Sequence, residues 1–334
     1  VTAAAKHPLF WVRVAIPVGL LAYIFSRVDI PDLLEALRHV DLPLALLSLL
    51  IGYLVPVPLC AWRWRTLMRQ GYGVEMPLGF LVKHFWIGMF VGYLLPGGAG
   101  TDVYRIACLS RHRGRVKENA AVVVGEKLFV LLANALLVML AYPWIASSAT
   151  LPEGFDRLVW LVYALGWLGL GLLVLLTLLR RPVGDWLERV IGHRVMAIGR
   201  RLNVQTGEGE IRSLLRPFTR WRNQALIFLW TVGIQLIACY GGRLMLLAVG
   251  VDLPLMVHIF VWNLMIFVFL LPISFGTLGV REATFIAFFG MFGVAREPAL
   301  AASFVGLASM LITVGVGGIL WAAAELKKRV EPSA

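Results

Sequence analysis

Two arginines, Arg105 and Arg281, hold the same place in a twelve-residue frame that occurs twice. Residues 94–105 read Leu-Leu-Pro-Gly-Gly-Ala-Gly-Thr-Asp-Val-Tyr-Arg, and residues 270–281 read Leu-Leu-Pro-Ile-Ser-Phe-Gly-Thr-Leu-Gly-Val-Arg. Both copies follow a long apolar run. Pro96 and Pro272 with Gly97, Gly98, Gly100, Gly276 and Gly279 are helix-breaking or gating residues there, because proline removes a donor and glycine tolerates any backbone turn. An ionisable side chain at membrane depth is costly and usually functional. Each Arg stands five residues past Gly100 or Gly276. From there it can share an anionic group with free backbone N–H groups at the start of the next half-helix. The planar guanidinium fork also suits phosphate. Other readings stay open. Each Arg caps its broken helix, or pairs with Asp102 or Glu282, or, for Arg105, begins a cytoplasmic loop.

The neighbouring polar residues complete a candidate substrate-binding set: Thr101, Asp102, Glu126, Lys127, Ser274, Thr277 and Glu282 beside the two arginines. Glu282 either carries a coupling proton or neutralises Arg281, and neutralisation is the commoner role of such an acid. Asp102 carries the same ambiguity. Glu126 and Lys127 are adjacent on an expected helix, so they cannot face the same partner. Glu126 can meet an Arg of the first motif, while Lys127 can snorkel to the inner surface. Lys83 reads as snorkelling, His84 as a satisfied bundle residue, and Arg243 as reaching toward outer head groups. No nucleophile, metal-ligand or nucleotide motif occurs, and Gly97-Gly98-Ala99-Gly100 lacks the Lys-Ser/Thr of a phosphate loop. No metal, cofactor or enzymatic activity is therefore expected.

These residues need a membrane scaffold. The chain is 60% hydrophobic and 15% charged, with a mean hydropathy of +0.82, which excludes an ordinary soluble domain. Several stretches are long and apolar enough to cross a bilayer. The net charge of +12 clusters at the ends of those stretches, which indicates topology and not nucleic acid. Apolar spans fall at about 8–26, 42–61, 77–95, 118–141, 157–179, 224–248, 254–271, 283–295 and 298–323. Residues 62–69, 105–117, 180–222 and the tail carry the Lys/Arg excess and should be cytoplasmic, as should both termini. Connections 27–41, 142–156 and 249–253 should face outward. The three cysteines are scattered in or beside apolar segments and read as packing residues.

Threading the chain through those sides places residues 77–112 in a re-entrant hairpin from the cytoplasm and residues 254–296 in one from the outside. The expected fold is an all-α polytopic membrane protein with about six full transmembrane helices and two opposed re-entrant hairpins. Residues 1–150 and 151–334 form an inverted-topology repeat. A plain eight-helix bundle is the alternative. Residues 30–40 fit a short amphipathic outer helix. Within the cytoplasmic segment 180–223, residues 183–202 fit either an interfacial helix or a packed loop.

The stretch 95–105, the pair Glu126-Lys127 and the stretch 271–282 together resemble the lysylphosphatidylglycerol synthetase transmembrane-region family, over about residues 10–325. Thr101 stands where the family often has a second Gly before the acid, and Lys127 where it often has Arg. The resemblance implies flipping or scrambling of an anionic or aminoacylated lipid across a bacterial inner membrane, without the family's soluble aminoacyl-transfer domain. A homodimer is compatible with it. Two rival readings are an ion-coupled transporter of a small solute and a membrane enzyme acting on a lipid-linked phosphate. The latter would rely on Asp102 and Glu282.

Overall fold

The computed structural model describes residues 19–94, 100–113, 116–148, 154–178, 214, 216–218, 221–269 and 279–330. Pro96, Gly97, Gly98, Pro272, Ser274, Gly276 and Thr277 lie outside the described residues, as do the expected interfacial segment 183–202 and most of the span expected at 8–26.

Every regular element among the described residues is helical. After helical residues 19–25 come α1 (Ile30–Arg38), α2 (Leu42–Leu49) and α3 (Pro56–Tyr72), then α4 (Leu78–Leu94), α5 (Gly100–Arg113) and α6 (Val116–Ser148). The second part of the chain forms α7 (Phe155–Leu178), α8 (Trp221–Leu247), α9 (Leu255–Phe269), α10 (Val280–Gly290) and α11 (Arg296–Val330). Five segments are long and apolar enough to cross a membrane: Leu42–Tyr72, Val116–Ser148, Phe155–Leu175, Trp221–Leu247 and Arg296–Leu326. The protein is an all-α, multi-pass membrane protein. Two shorter apolar helices, α4 and α9, have 17 and 15 residues. At 1.5 Å per residue they reach about 25 and 22 Å, short of the roughly 30 Å hydrocarbon core.

Local chemistry sets these elements. The expected amphipathic outer helix is α1: the Asp29 carboxylate accepts from the Asp32 N–H at its start, and Leu33 packs with Ile24, Val28, Leu300 and Ala301. The membrane segment Leu42–Tyr72 contains a π-turn at Leu50–Leu54, where the Val55 N–H reaches back to the Leu50 carbonyl at 2.9 Å. Pro56 follows at once, and its missing N–H accounts for the irregular turn. The π-turn brings Gly52 onto Gly241 of α8 so closely that a Cβ on Gly52 would sit 3.3 Å from the Gly241 Cα. Ser48 Oγ donates to the Gly241 carbonyl at 2.9 Å in the same contact. Two small residues thus let two long helices approach backbone to backbone.

The packing is reciprocal. The short helix α4 lies along α11, and the short helix α9 lies along α6. Likewise α3 packs on α4 and α8 on α9, while α5 packs on α6 and α10 on α11. Helices α4 and α5 touch through Gly92, where any Cβ would overlap the Thr101 side chain. Gly317 lets α11 reach the Trp86 carbonyl of α4 in the same manner. Helix α7 lies on the outside and presents Trp160, Trp167, Leu168 and Leu172, all exposed, as a face suited to acyl chains.

Candidate functional site

Arg105 lies on α5, one turn after Asp102, and is 4% exposed. Its Nη2 donates to Glu126 Oε2 of α6 at 2.5 Å, and its Nη1 lies 3.7 Å from Asp102 Oδ1. The other oxygen of Glu126 accepts from Arg63 Nε of α3 at 3.2 Å, and Arg63 Nη1 donates to Thr231 Oγ1 of α8 at 2.9 Å. Lys127 Nζ meets Asp102 Oδ2 at 2.8 Å. Five charged side chains from three helices therefore form one network of three cations and two carboxylates. One positive charge remains unmatched within it.

The network is graded from inside to outside. Arg63, Arg105 and Glu126 are buried, whereas the Lys127 and Asp102 side chains are 51% and 23% exposed. The Arg105 guanidinium carbon lies 4.3 Å from the Trp64 ring and 4.8 Å from the Phe85 ring, a cation held between two aromatic groups in a desolvated place. Asn119 fixes the backbone behind it: its Nδ2 donates to the Arg105 carbonyl at 2.7 Å, and its Oδ1 accepts from Trp64 Nε1 at 2.8 Å. The Arg105 Nε is buried without a partner among the described residues. A buried carboxylate shared by two guanidinium groups is tightly coupled, because removing it strands both cations.

The second motif builds a smaller version. Arg281 on α10 donates through Nη2 to Glu282 Oε1, and through Nε to Ser303 Oγ of α11 at 3.1 Å. Glu282 Oε2 accepts from the Gly279 N–H at 2.6 Å and so caps the start of α10. Gly279 has φ 75°, a left-handed conformation that favours glycine at the entry to this helix. The two motifs exchange the source of their carboxylate. Arg105 finds its main acid 21 residues on, in α6, whereas 22 residues past Arg281 stands Ser303, and the acid is its neighbour Glu282.

The structure thus joins Asp102, Arg105, Glu126 and Lys127 in one group and Gly279, Arg281 and Glu282 in another. Thr101 is placed at the α4–α5 contact. Glu126 and Lys127 serve different partners, as their adjacency required. Arg243 pairs with Asp252 at 3.1 Å, and His84 Nδ1 lies 2.9 Å from the Tyr104 hydroxyl. Arg63, Trp64, Asn119, Thr231 and Ser303 were not anticipated. Arg63 was counted as a loop charge because hydropathy ends the span at residue 61, while the helix runs to Tyr72. Among the described residues no group of three or more His, Cys, Asp or Glu is placed to hold a metal.

A groove of about 300 Å³ lies between α6, α7 and α8. Leu132, Leu136, Trp167, Leu170, Trp221 and Phe228 line it, and the rim residues Trp167 and Trp221 are exposed.

The sequence model of the lysylphosphatidylglycerol synthase transmembrane region matches residues 10–318. The chain belongs to that family. No individual curated protein matches the chain. The match covers the transmembrane region of a lipid synthase family. Together with the apolar helices it gives the protein a lipid-transport, flippase-like character.

Proposed function

We propose that this member of the lysylphosphatidylglycerol synthase transmembrane-region family moves a phospholipid with an anionic or aminoacylated head group between the leaflets of a bacterial inner membrane. The observation that carries the reading is an apolar groove between α6, α7 and α8, open on the flank of the bundle, together with a buried cationic network that shares α6 with it. A small solute needs no such groove, whereas a lipid needs polar and apolar surface side by side. The unmatched positive charge of the first network favours a phosphate-bearing head group. Lys127 and Asp102, at its exposed edge, make the first contact, and an amine on the head group meets Asp102. Arg105 stands behind them.

The reciprocal packing of α4 on α11 and α9 on α6 supports an inverted repeat in which residues 77–112 and 254–296 enter from opposite faces. Pro96 and Pro272, which follow the two short helices in the sequence, favour a helix break, and a break at membrane depth is tolerated only around a protected interior. Arg281 and Glu282 are the counterpart site on the second hairpin. In this arrangement both termini are cytoplasmic.

The test is equilibrium binding of phosphatidylglycerol, its lysyl ester and a neutral diacylglycerol to the purified protein. The two charged lipids should bind more tightly than diacylglycerol. Equal affinity for all three removes the head-group reading and leaves only a hydrophobic groove.

A further inference from the structure

The polar residues buried inside the bundle do not stop at the arginine network. Helix α6 carries Asn119, Glu126 and Asn134 on one side, and α8 carries Thr231, Gln235, Cys239 and Arg243 at intervals of four. Residues four apart on a helix share a face. These two rows meet in a series of contacts. Asn119 bonds Trp64 and the Arg105 carbonyl. Glu126 reaches Thr231 through Arg63. Gln235 Nε2 then donates to Asn134 Oδ1 at 2.7 Å. Next, Asn263 Nδ2 of α9 donates to Cys239 Sγ at 3.2 Å, and last comes Arg243 with Asp252.

The rungs extend over a distance comparable to the bilayer core. Residues 119 to 134 rise about 22 Å along α6, and residues 235 to 243 about 12 Å along α8, against a core of roughly 30 Å. Three buried atoms along the series lack partners among the described residues: the donors Arg105 Nε and Arg243 Nε toward its two ends, and the acceptor Asn263 Oδ1 between them. Buried polar groups are normally satisfied, and helix-to-helix adhesion gives no reason to leave these three open. A free donor suits a phosphate oxygen, and a free acceptor suits a hydroxyl or ammonium. The apolar groove shares α8 with the ladder: Gln224 and Phe228 on its wall stand seven residues before Thr231 and Gln235, on the same helix face.

We infer that this ladder is the track along which the head group crosses, with Asn134–Gln235 as its mid-membrane rung and a phosphodiester bearing a hydroxyl or amine donor as its ligand. The Asn134–Gln235 bond parts as the head group passes, while one acyl chain follows the groove outside it. The inference rests on the lipid-translocation reading above.

Asn134→Asp and Gln235→Glu preserve side-chain shape and place a negative charge on the rung. They are assayed in liposomes with acyl-labelled phosphatidylglycerol and phosphatidylethanolamine, at a mildly alkaline pH that favours the ionised acid yet stays below the pKa of the lipid amine. Gln235 is only part-buried, so Gln235→Glu keeps the test intact if Asn134→Asp does not fold. Translocation of the anionic lipid should fall about tenfold relative to the zwitterionic one, the factor for roughly 1.4 kcal/mol of added barrier. Equal slowing of both lipids, or no slowing, assigns the ladder to helix packing and overturns the inference. In that case lipid movement by the wild type leaves the functional reading standing, whereas a wild type that moves neither lipid defeats both.

Discussion

Glu126→Gln removes the charge on which the first network depends. The carboxylate is buried and accepts from Arg63 at 3.2 Å and from Arg105 at 2.5 Å. Breaking a buried ion pair by deleting one partner costs about 3–5 kcal/mol, because the other charge stays buried and unpaired. Glutamine keeps the shape and one acceptor, which returns about 1 kcal/mol. The net loss is then about 2–4 kcal/mol, which at roughly 2 °C per kcal/mol for a large chain lowers the melting temperature by about 4–8 °C. The assay is thermal unfolding in detergent followed by tryptophan fluorescence, since Trp64 lies against Arg105. Adding Arg63→Gln removes the stranded cation and leaves Arg105 beside Asp102. The double variant should therefore be more stable than the sum of the two single losses by about 1–3 kcal/mol. A Glu126→Gln protein that melts with the wild type, or strictly additive losses in the double variant, would refute the shared-carboxylate account.

The other expectations concern the second motif, the groove, the helix contact and the topology. Arg281→Ala should abolish most lipid translocation in liposomes, and Arg281→Lys should restore only part of it, because a point charge cannot serve both Ser303 and Glu282; full activity of the alanine variant would reduce Arg281 to a cap. Ala225→Trp places a large ring at an exposed position in the groove, so translocation should slow while the melting temperature holds; unchanged rates would deny the groove a part in transport. Gly241→Ala forces α8 away from Gly52 and should cost about 1–3 kcal/mol by thermal unfolding, and an unaltered melt would contradict the close approach. Cysteines at Ala99 and Phe275 should react with an impermeant reagent from opposite faces of the membrane, and strong labelling of both from one face would rule out the inverted repeat.

Much of the fold was legible because membrane helices announce themselves by length and apolarity. The segments beginning at Leu42, Val116, Phe155, Trp221 and Arg296 all coincide with apolar spans read from the chain. The duplicated Leu-Leu-Pro frame drew attention to Arg105 and Arg281, and the stop in apolar character at Glu126 drew attention to its helix. The pairing was less legible. Arg63 looks like any positive residue after a span, and only the continuation of its helix to Tyr72 makes it an interior residue. Ser303 and Thr231 are single hydroxyls in apolar runs, where nothing local separates a partner from a helix-internal bond. The Asn134–Gln235 rung joins residues 101 apart, a relation that exists only once α6 and α8 pack. Glycines behaved similarly: Gly52 and Gly241 matter through each other, and neither lies in a motif.

The central claim is tested most directly by a leaflet-resolved assay of the purified protein in liposomes. Acyl-labelled phosphatidylglycerol, lysyl-phosphatidylglycerol and diacylglycerol are supplied in both leaflets, and the label in the outer leaflet is quenched by an impermeant reductant. The account predicts that the protein raises quenching of the two charged lipids beyond the half available in empty liposomes, and that Arg281→Ala returns it to that level. Quenching that stays at the protein-free level for both charged lipids would contradict lipid translocation itself.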